Sequence, residues 1–218
     1  FLAKMIRDSA DCAIGYDAAA DVLWGLDAFA SEYAAHIATG SCSDSMGQMV
    51  PCIKMCPAHV DIPGYIALAA EGDYAGCINL IRRDNPLPTA CAMICEHPCE
   101  HRCRRQLIDA PLNIRGMKKF AVDQLPADEA EVPEPLVPTG KKVAVIGGGP
   151  AGLTAAFFLA QMGHGVNLYE RHDKLGGMLR YGIPNYRFPK DRLDEDIRAI
   201  LAGGDITVHC NSMVSTPE

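Results

Sequence analysis

The sequence predicts two structural classes in tandem, a helical, cysteine-bearing first half and an α/β second half. Three observations carry this. Eight of the ten cysteines fall between residues 42 and 103, among segments whose apolar residues recur at helical spacing. The stretch LPADEAEVPEPLVPTG, 125–140, holds four prolines and four acidic residues with no basic one, a composition that suits a linker and not a core. Beyond it, KKVAVIG, PAGLTAAFFLAQMG and GVNLYE alternate strand, helix and strand patterns around a glycine turn.

At 218 residues the chain can build one or two cores. Its apolar share of 49% and charged share of 22% are ordinary for a globular protein. No uncharged apolar run is long enough to span a membrane, and no secretory signal opens the sequence. The net charge of -7 argues against nucleic acid or an anionic membrane as partner. Clustered cysteines suit metal binding in a reducing, cytoplasmic setting better than disulfides. The sequence starts at Phe1, not Met, and reads as an internal piece of a longer polypeptide.

Taken in order, residues 16–37 set Val22, Leu23, Leu26, Phe29, Ala30, Tyr33 and Ile37 on one helical face. Gly40 is the expected stop. After the irregular loop SCSDSMGQMVPC, Asp61 and Pro63 have the form of a cap and first helical position. Asp73 is placed to cap a helix through YAGCINLIRRD, and IRGMKKFAVDQ forms another after the cysteine run. The domain boundary is expected in the 125–140 linker. The second half then adds a helix, KDRLDEDIRAILAGG, and a strand, DITVHC.

In CAMICEHPCEHRC, Cys91, Cys95, Cys99 and Cys103 stand four residues apart. A continuous helix would separate the outer thiols by about 18 Å, too far for one ion. Pro98 lacks an amide N–H and drives His97 away from helical angles, so the chain can fold back there. Four thiolates would also satisfy structural zinc, although this spacing is unlike the paired short loops of zinc ribbons. Cys77 and Cys210 sit in apolar patterns and read as small buried hydrophobes. His97, His101, His164 and His172 show no ligand spacing and read as surface or packing residues.

VAVIGGGPAG carries Gly147, Gly149 and Gly152 in GxGxxG spacing, directly after a strand and opening a helix with Pro150 and Ala151. Gly147 would allow the turn, Gly149 a pyrophosphate's approach, and Gly152 helix-on-strand packing. The helix N-terminus supplies N–H groups and a positive dipole end. Glu170 ends the next strand, 23 positions after Gly147, where a carboxylate accepts from ribose hydroxyls and repels a 2'-phosphate. FAD or NAD is therefore expected over NADP.

The run HDKLGGMLRYGIPNYRFPK resembles the flavin domain of the glutamate synthase small subunit and dihydropyrimidine dehydrogenase. The resemblance implies FAD, with Gly177, Met178, Leu179 and Arg187 as contacts. Upstream, PCIKMCPAHVDIPGYIALAAEGDYAGCINLIRRDNPLPTACAMICEHPCEHRC with APLNIRGMKKFAVD is similar to the helical module before that domain, which binds two 4Fe-4S clusters. A Cys-Pro pair closing a ligand run is a ferredoxin feature, and Cys56-Pro57 has that form. The family arrangement implies one cluster on Cys56, Cys91, Cys95 and Cys99, with Cys103 joining a second, upstream set. There Asp44 and Gly47 replace two cysteines, leaving Cys42, Cys52 and Cys103. Either Asp44 completes that set or the second cluster has been lost.

DCAIGYDAAADVLWGLDAFASEYAAHI resembles the end of the NADH-oxidising flavoprotein subunit of complex I and of NAD-linked hydrogenases. Cys12 matches that family's last cluster cysteine, its companions lying outside this sequence; the alternative is an amphipathic helix with one buried cysteine.

Together these resemblances imply a helical tail (1–40), an α-helical iron-sulfur module (41–124), a linker (125–140) and an incomplete α/β Rossmann-like FAD-binding domain (141–218). They imply an oxidoreductase exchanging electrons between NAD(P)H, FAD and 4Fe-4S clusters, with nicotinamide bound by domains outside the sequence. Its implied partners are other redox subunits or fused domains, ferredoxin among them, with flavin-based bifurcation open. The alternatives are a glutamate synthase small-subunit-like NADPH reductase and a zinc-stabilised nucleotide-binding scaffold. No general acid, base or nucleophile is evident, as expected where cofactors carry the chemistry.

Overall fold

A computed structural model describes residues 1–39 and 50–215. The chain divides into two compact units, Phe1–Gln48 and Met49–Glu218. In the first, α1 (Leu2–Ser9) packs on α2 (Ala13–Ala28), followed by α3 (Ala30–Thr39). The single helix expected over 16–37 is thus broken. Phe29 leaves helical angles (φ -109, ψ 19) and meets Trp24 edge to face at 6.1 Å. The expected apolar face is left open: Val22, Leu26, Tyr33 and Ile37 are exposed. Gly40, the expected stop, lies outside the described residues.

The second unit opens with α4 (Pro51–Met55), α5 (Ile62–Glu71) and α6 (Tyr74–Arg82). Each of the latter two begins on an aspartate, as expected. Asp61 Oδ1 accepts from the Gly64 amide at 3.0 Å and Asp73 Oδ1 from that of Gly76 at 2.8 Å. Pro63 stands one place further in than expected, after Ile62. Then come α7 (Pro88–Ile94) and α8 (Ile114–Gln124), the latter capped by Asn113. Val60, Ile62, Tyr65, Cys77, Ile81, Cys99, Ile114 and Ala121 form the core of this helical part.

A parallel sheet follows: β1 (Lys142–Ile146), β2 (Gly165–Tyr169) and β3 (Ile206–His209), in spatial order β1-β2-β3. Val145 pairs with Leu168, and Leu168 with Val208. The helices α9 (Pro150–Gln161), α10 (Met178–Tyr181) and α11 (Lys190–Leu201) complete it. This is the first half of a doubly wound dinucleotide fold, in which successive parallel strands stand side by side.

The segment 125–140 departs from expectation. It has no helix or strand, as its prolines dictate, and residues 133–140 are exposed, yet the segment is tied to its neighbours at several points. Ala127 and Ala130 are buried, and Arg82, 1% exposed, donates to the carbonyls of Ala127, Ala130 and Glu131. Leu136 N donates to Gln161 O at 2.9 Å, and Arg198 pairs with Asp128. Composition misses this because the small alanines between the prolines pack, and the holding groups come from distant helices. Leu87 and Ala90 of the cysteine half share the α/β core with Leu153, Phe157, Phe188 and Leu193. Residues 49–218 therefore pack as one body.

Candidate functional site

Four of the predicted ligand cysteines come together. Cys56, Cys91, Cys95 and Cys99 line one cavity with Tyr65, His97, Ile114, Arg115 and Lys118. Local structure explains how. Cys91 lies inside α7, which ends at Ile94, so Cys95 is already extended (φ -64, ψ 136). His97, before Pro98, takes φ +43. The chain turns back and Cys99 opens a short 3-10 turn, Glu100–Arg102. Cys56 enters from the end of α4, also extended before Pro57. The break thus comes two residues earlier than His97, where Pro98 alone would place it.

The thiols surround a cavity, not a point. Among the described residues no three His, Cys, Asp or Glu side chains are gathered so as to hold a single metal ion. Burial pushes the Cys99 thiol up to about 11, with Glu100, Cys56 and Cys95 adding to it and Lys118 opposing. Burial also raises Cys91, again against Lys118. Tyr65 is raised by burial and by its thiol neighbours, Cys99 foremost. Backbone amides reach two of the sulfurs: His97 N to Cys95 Sγ at 3.3 Å, and Leu112 N to Cys103 Sγ at 3.5 Å. The cavity is braced by Arg115, whose side chain donates to Cys95 O at 2.9 Å and whose amide donates to Glu100 Oε1 at 2.9 Å. Glu100 Oε2 lies 3.2 Å from His97 Nδ1.

Cys103 does not line this cavity. It is buried near Cys52, whose thiol is raised by burial and in smaller part by Cys103. Cys42 and Asp44 lie outside the described residues. Cys12 is exposed at the start of α2. Cys77 is fully buried in α6, as expected of a small hydrophobe, whereas Cys210, expected to be buried, is only half-buried against the α/β core. Burial raises Cys77 to about 11.

The glycine turn is built as the spacing requires. Gly147 has φ +102, a conformation that suits glycine. A Cβ on Gly152 would stand 1.8 Å from Gly147 O, so only glycine lets α9 start this close to β1. Gly177 has φ +48, and a Cβ there would lie 2.7 Å from Gly149 Cα. The Gly176–Gly177 pair therefore packs directly on the turn, and Gly176 N donates to Gly148 O at 2.8 Å. Pro150 and Ala151 form the first turn of α9.

Glu170 is buried at the end of β2. Its Oε2 accepts from Gly148 N at 2.7 Å and its Oε1 from His172 N at 2.9 Å. Burial by itself would raise this carboxyl, but the His172 and Gly148 amides, with the His172 and Arg171 side chains, hold it below the ordinary range. A carboxylate has lone pairs beyond two amide contacts, so acceptor capacity for a ribose diol remains.

Of the expected flavin contacts, Met178 is exposed and Leu179 is not. The Leu179 side chain sits in the α/β core and its carbonyl accepts from Lys190 Nζ at 2.8 Å. Arg187 is exposed and lies 3.7 Å from Glu96 in the cysteine turn. With Tyr186, Pro189, Met93, Lys119 and Arg115 it lines a cleft of about 410 Å³. Arg115 thus forms wall for both the thiol cavity and this cleft.

Sequence reasoning missed three residues. Lys118, 8% exposed, is a lysine in a helix that otherwise reads as amphipathic. Arg115 carries no motif signal at all. Asp196, on α11, accepts from Thr89 N at 3.1 Å and Ala90 N at 2.8 Å, holding the start of α7 from 106 and 107 residues away. No local pattern could reveal that contact.

A four-thiol cavity and, in the same packed body, a glycine turn of dinucleotide type define a class: an iron-sulfur module joined to a nucleotide-binding α/β domain. Residues 27–130 match the family described as dihydropyrimidine dehydrogenase domain II, 4Fe-4S cluster, and residues 145–204 the NAD(P)-binding Rossmann-like domain. Over residues 27–130 the chain is thus similar to dihydropyrimidine dehydrogenase domain II.

Three relatives show its company. The β subunit of the NADP(+)-dependent formate dehydrogenase of Moorella thermoacetica is 41% identical over 186 residues, covering 75% of this chain and 26% of the relative. The β subunit of the NADPH-Fe(3+) oxidoreductase of Geobacter sulfurreducens is 41% identical over 157 residues, covering 71% and 23%. The PreT subunit of the NAD-dependent dihydropyrimidine dehydrogenase of Escherichia coli is 37% identical over 166 residues, covering 75% and 40%. The chain thus spans about a quarter of the length of the first two relatives. Among the described residues no helix is long and apolar enough to cross a membrane.

Proposed function

We propose that this chain forms the electron-transfer junction of an NAD(P)H-dependent iron-sulfur flavoprotein, passing electrons between FAD and a 4Fe-4S cluster. One observation carries the reading: the cavity lined by Cys56, Cys91, Cys95 and Cys99 shares the Arg115 wall with the cleft lined by Tyr186 and Arg187. Both sites belong to one packed body, which suits electron passage between them.

The thiols fit a cluster better than one ion, because they ring a space instead of converging. When bound, the cluster and flavin supply one-electron and hydride chemistry respectively. The protein's share is to hold and orient. Gly147, Gly149 and Gly152 open α9 toward a pyrophosphate, Glu170 accepts from a ribose, and Arg115 fixes the Cys95 segment through its carbonyl. Glu170 also disfavours a 2'-phosphate at this half-site. Other redox subunits or fused domains, and ferredoxin among soluble carriers, are the partners this chemistry calls for, in a reducing cytoplasm. Cys12 is read as one cluster ligand whose companions are supplied from elsewhere. Cys52, Cys103 and Cys42 are the remnant of a second ligand set.

Anaerobic purification followed by iron, acid-labile sulfide, zinc and flavin analysis tests the proposal. Iron and sulfide in equal amount, with FAD, are expected. Zinc without iron or flavin would contradict it and favour a scaffold.

A further inference from the structure

Lys118 stands out once the thiol cavity is described. It is 8% exposed, lines the cavity with Cys56, Cys91, Cys95 and Cys99, and projects from α8. Among the described residues its Nζ donates no hydrogen bond and enters no ion pair; it lies 5.6 Å from the centre of the Tyr65 ring. An ammonium on a side chain so largely shielded, with no carboxylate paired to it, is better placed with an anion nearby.

The cavity's own side chains offer that anion only as thiolates. Lys118 acts electrostatically on Cys77, Cys91 and Cys99, in each case opposing the effect of burial. Of the carboxylates in and after the cysteine turn, Glu96 is paired with Arg187 at 3.7 Å and Glu100 accepts from the Arg115 amide at 2.9 Å.

Resting on the cluster reading above, we propose that Lys118 is the buried counter-ion of the four-thiolate site and favours its reduced state. Four thiolates make the loaded site a net anion, and accepting one electron from reduced flavin adds one more negative charge. The fixed ammonium stabilises the more negative state more, so it raises the reduction potential, as charge near a cluster does generally. Lys118 acts through the field it makes and replaces none of the four sulfurs.

The test uses the 218-residue chain loaded anaerobically with iron and sulfide, titrated with dithionite and followed by EPR. In Lys118→Met the one-electron equilibrium should shift at least tenfold toward the oxidised site, a fall of about 59 mV. Lys118→Arg should stay near wild type. If Lys118→Met and Lys118→Gln lose iron while Lys118→Arg keeps it, the charge is needed to hold the anion, which supports the proposal. A loaded Lys118→Met with the wild-type midpoint would overturn it, as would equal loss of iron in all three variants. A wild-type chain that takes zinc and no iron would overturn the cluster reading and this proposal with it.

Discussion

Replacing Asp196 by alanine should uncouple the cysteine helix from the α/β half. Asp196 is fully buried, and its two carboxylate oxygens accept from Thr89 N and Ala90 N at 3.1 and 2.8 Å. These are the first amides of α7, the helix that carries Cys91. Alanine leaves both without a partner, in a place where Thr89 and Ala90 are themselves buried. Each orphaned buried donor costs about 1–3 kcal/mol, partly offset because a buried carboxylate no longer has to be desolvated. A net loss of about 2–4 kcal/mol follows, and at roughly 2–4 °C per kcal/mol for a body of this size the melting midpoint should fall by about 5–15 °C. Circular dichroism melts of the iron-free chain measure this directly. A midpoint equal to wild type would refute the reasoning, since it would mean the two amides find other partners at no cost.

Four further outcomes follow from the same geometry. Burial pushes the Asp196 carboxyl up to about 7, so the fold binds its proton more tightly than the unfolded chain; the stability it contributes is complete below about pH 3.9 and is lost as pH rises through about 7. Wild type should therefore lose more thermal stability than Asp196→Asn between about pH 5 and 8, as paired melts would show. Gly152→Val puts a side chain where a Cβ already stands 1.8 Å from Gly147 O; flavin retention after gel filtration should be lost, with a stability cost of at least about 1–3 kcal/mol. Glu170→Ala frees the Gly148 and His172 amides and removes the ribose acceptor, so FAD affinity read by fluorescence quenching should weaken by about tenfold or more, the worth of one or two hydrogen bonds to a charged group. Cys99→Ser should abolish iron uptake whereas Cys77→Ala, which lines no part of the cavity, should retain it. Iron analysis of the two variants side by side decides this.

The glycine turn, its strand and helix, and Glu170 were legible because each is a local pattern whose backbone demands a residue type. The four thiols were legible through spacing joined to family resemblance, and Pro98 explains the reversal that brings them together. What the sequence hid is tertiary. Arg82, Asp196 and Arg115 act on backbone groups 20 to 107 positions away, and no periodicity encodes such a partner. Residues 125–140 have a linker's composition, yet two small alanines and a buried arginine fasten its first part, 127–131. Leu179 shows a similar limit: a motif marks a stretch of chain, while packing decides which side chains in it face inward. Lys118 shows the limit most clearly, since a lysine on an amphipathic helix reads as solvent-facing until the helix is docked.

The most direct test of the account is the EPR spectrum of the anaerobically purified, dithionite-reduced chain, with Cys95→Ala as control. The account predicts a reduced 4Fe-4S signal, absent from the control, which removes one of the four cavity thiols. An iron-free wild-type chain carrying zinc, or a cluster signal undiminished by loss of Cys95, would contradict it.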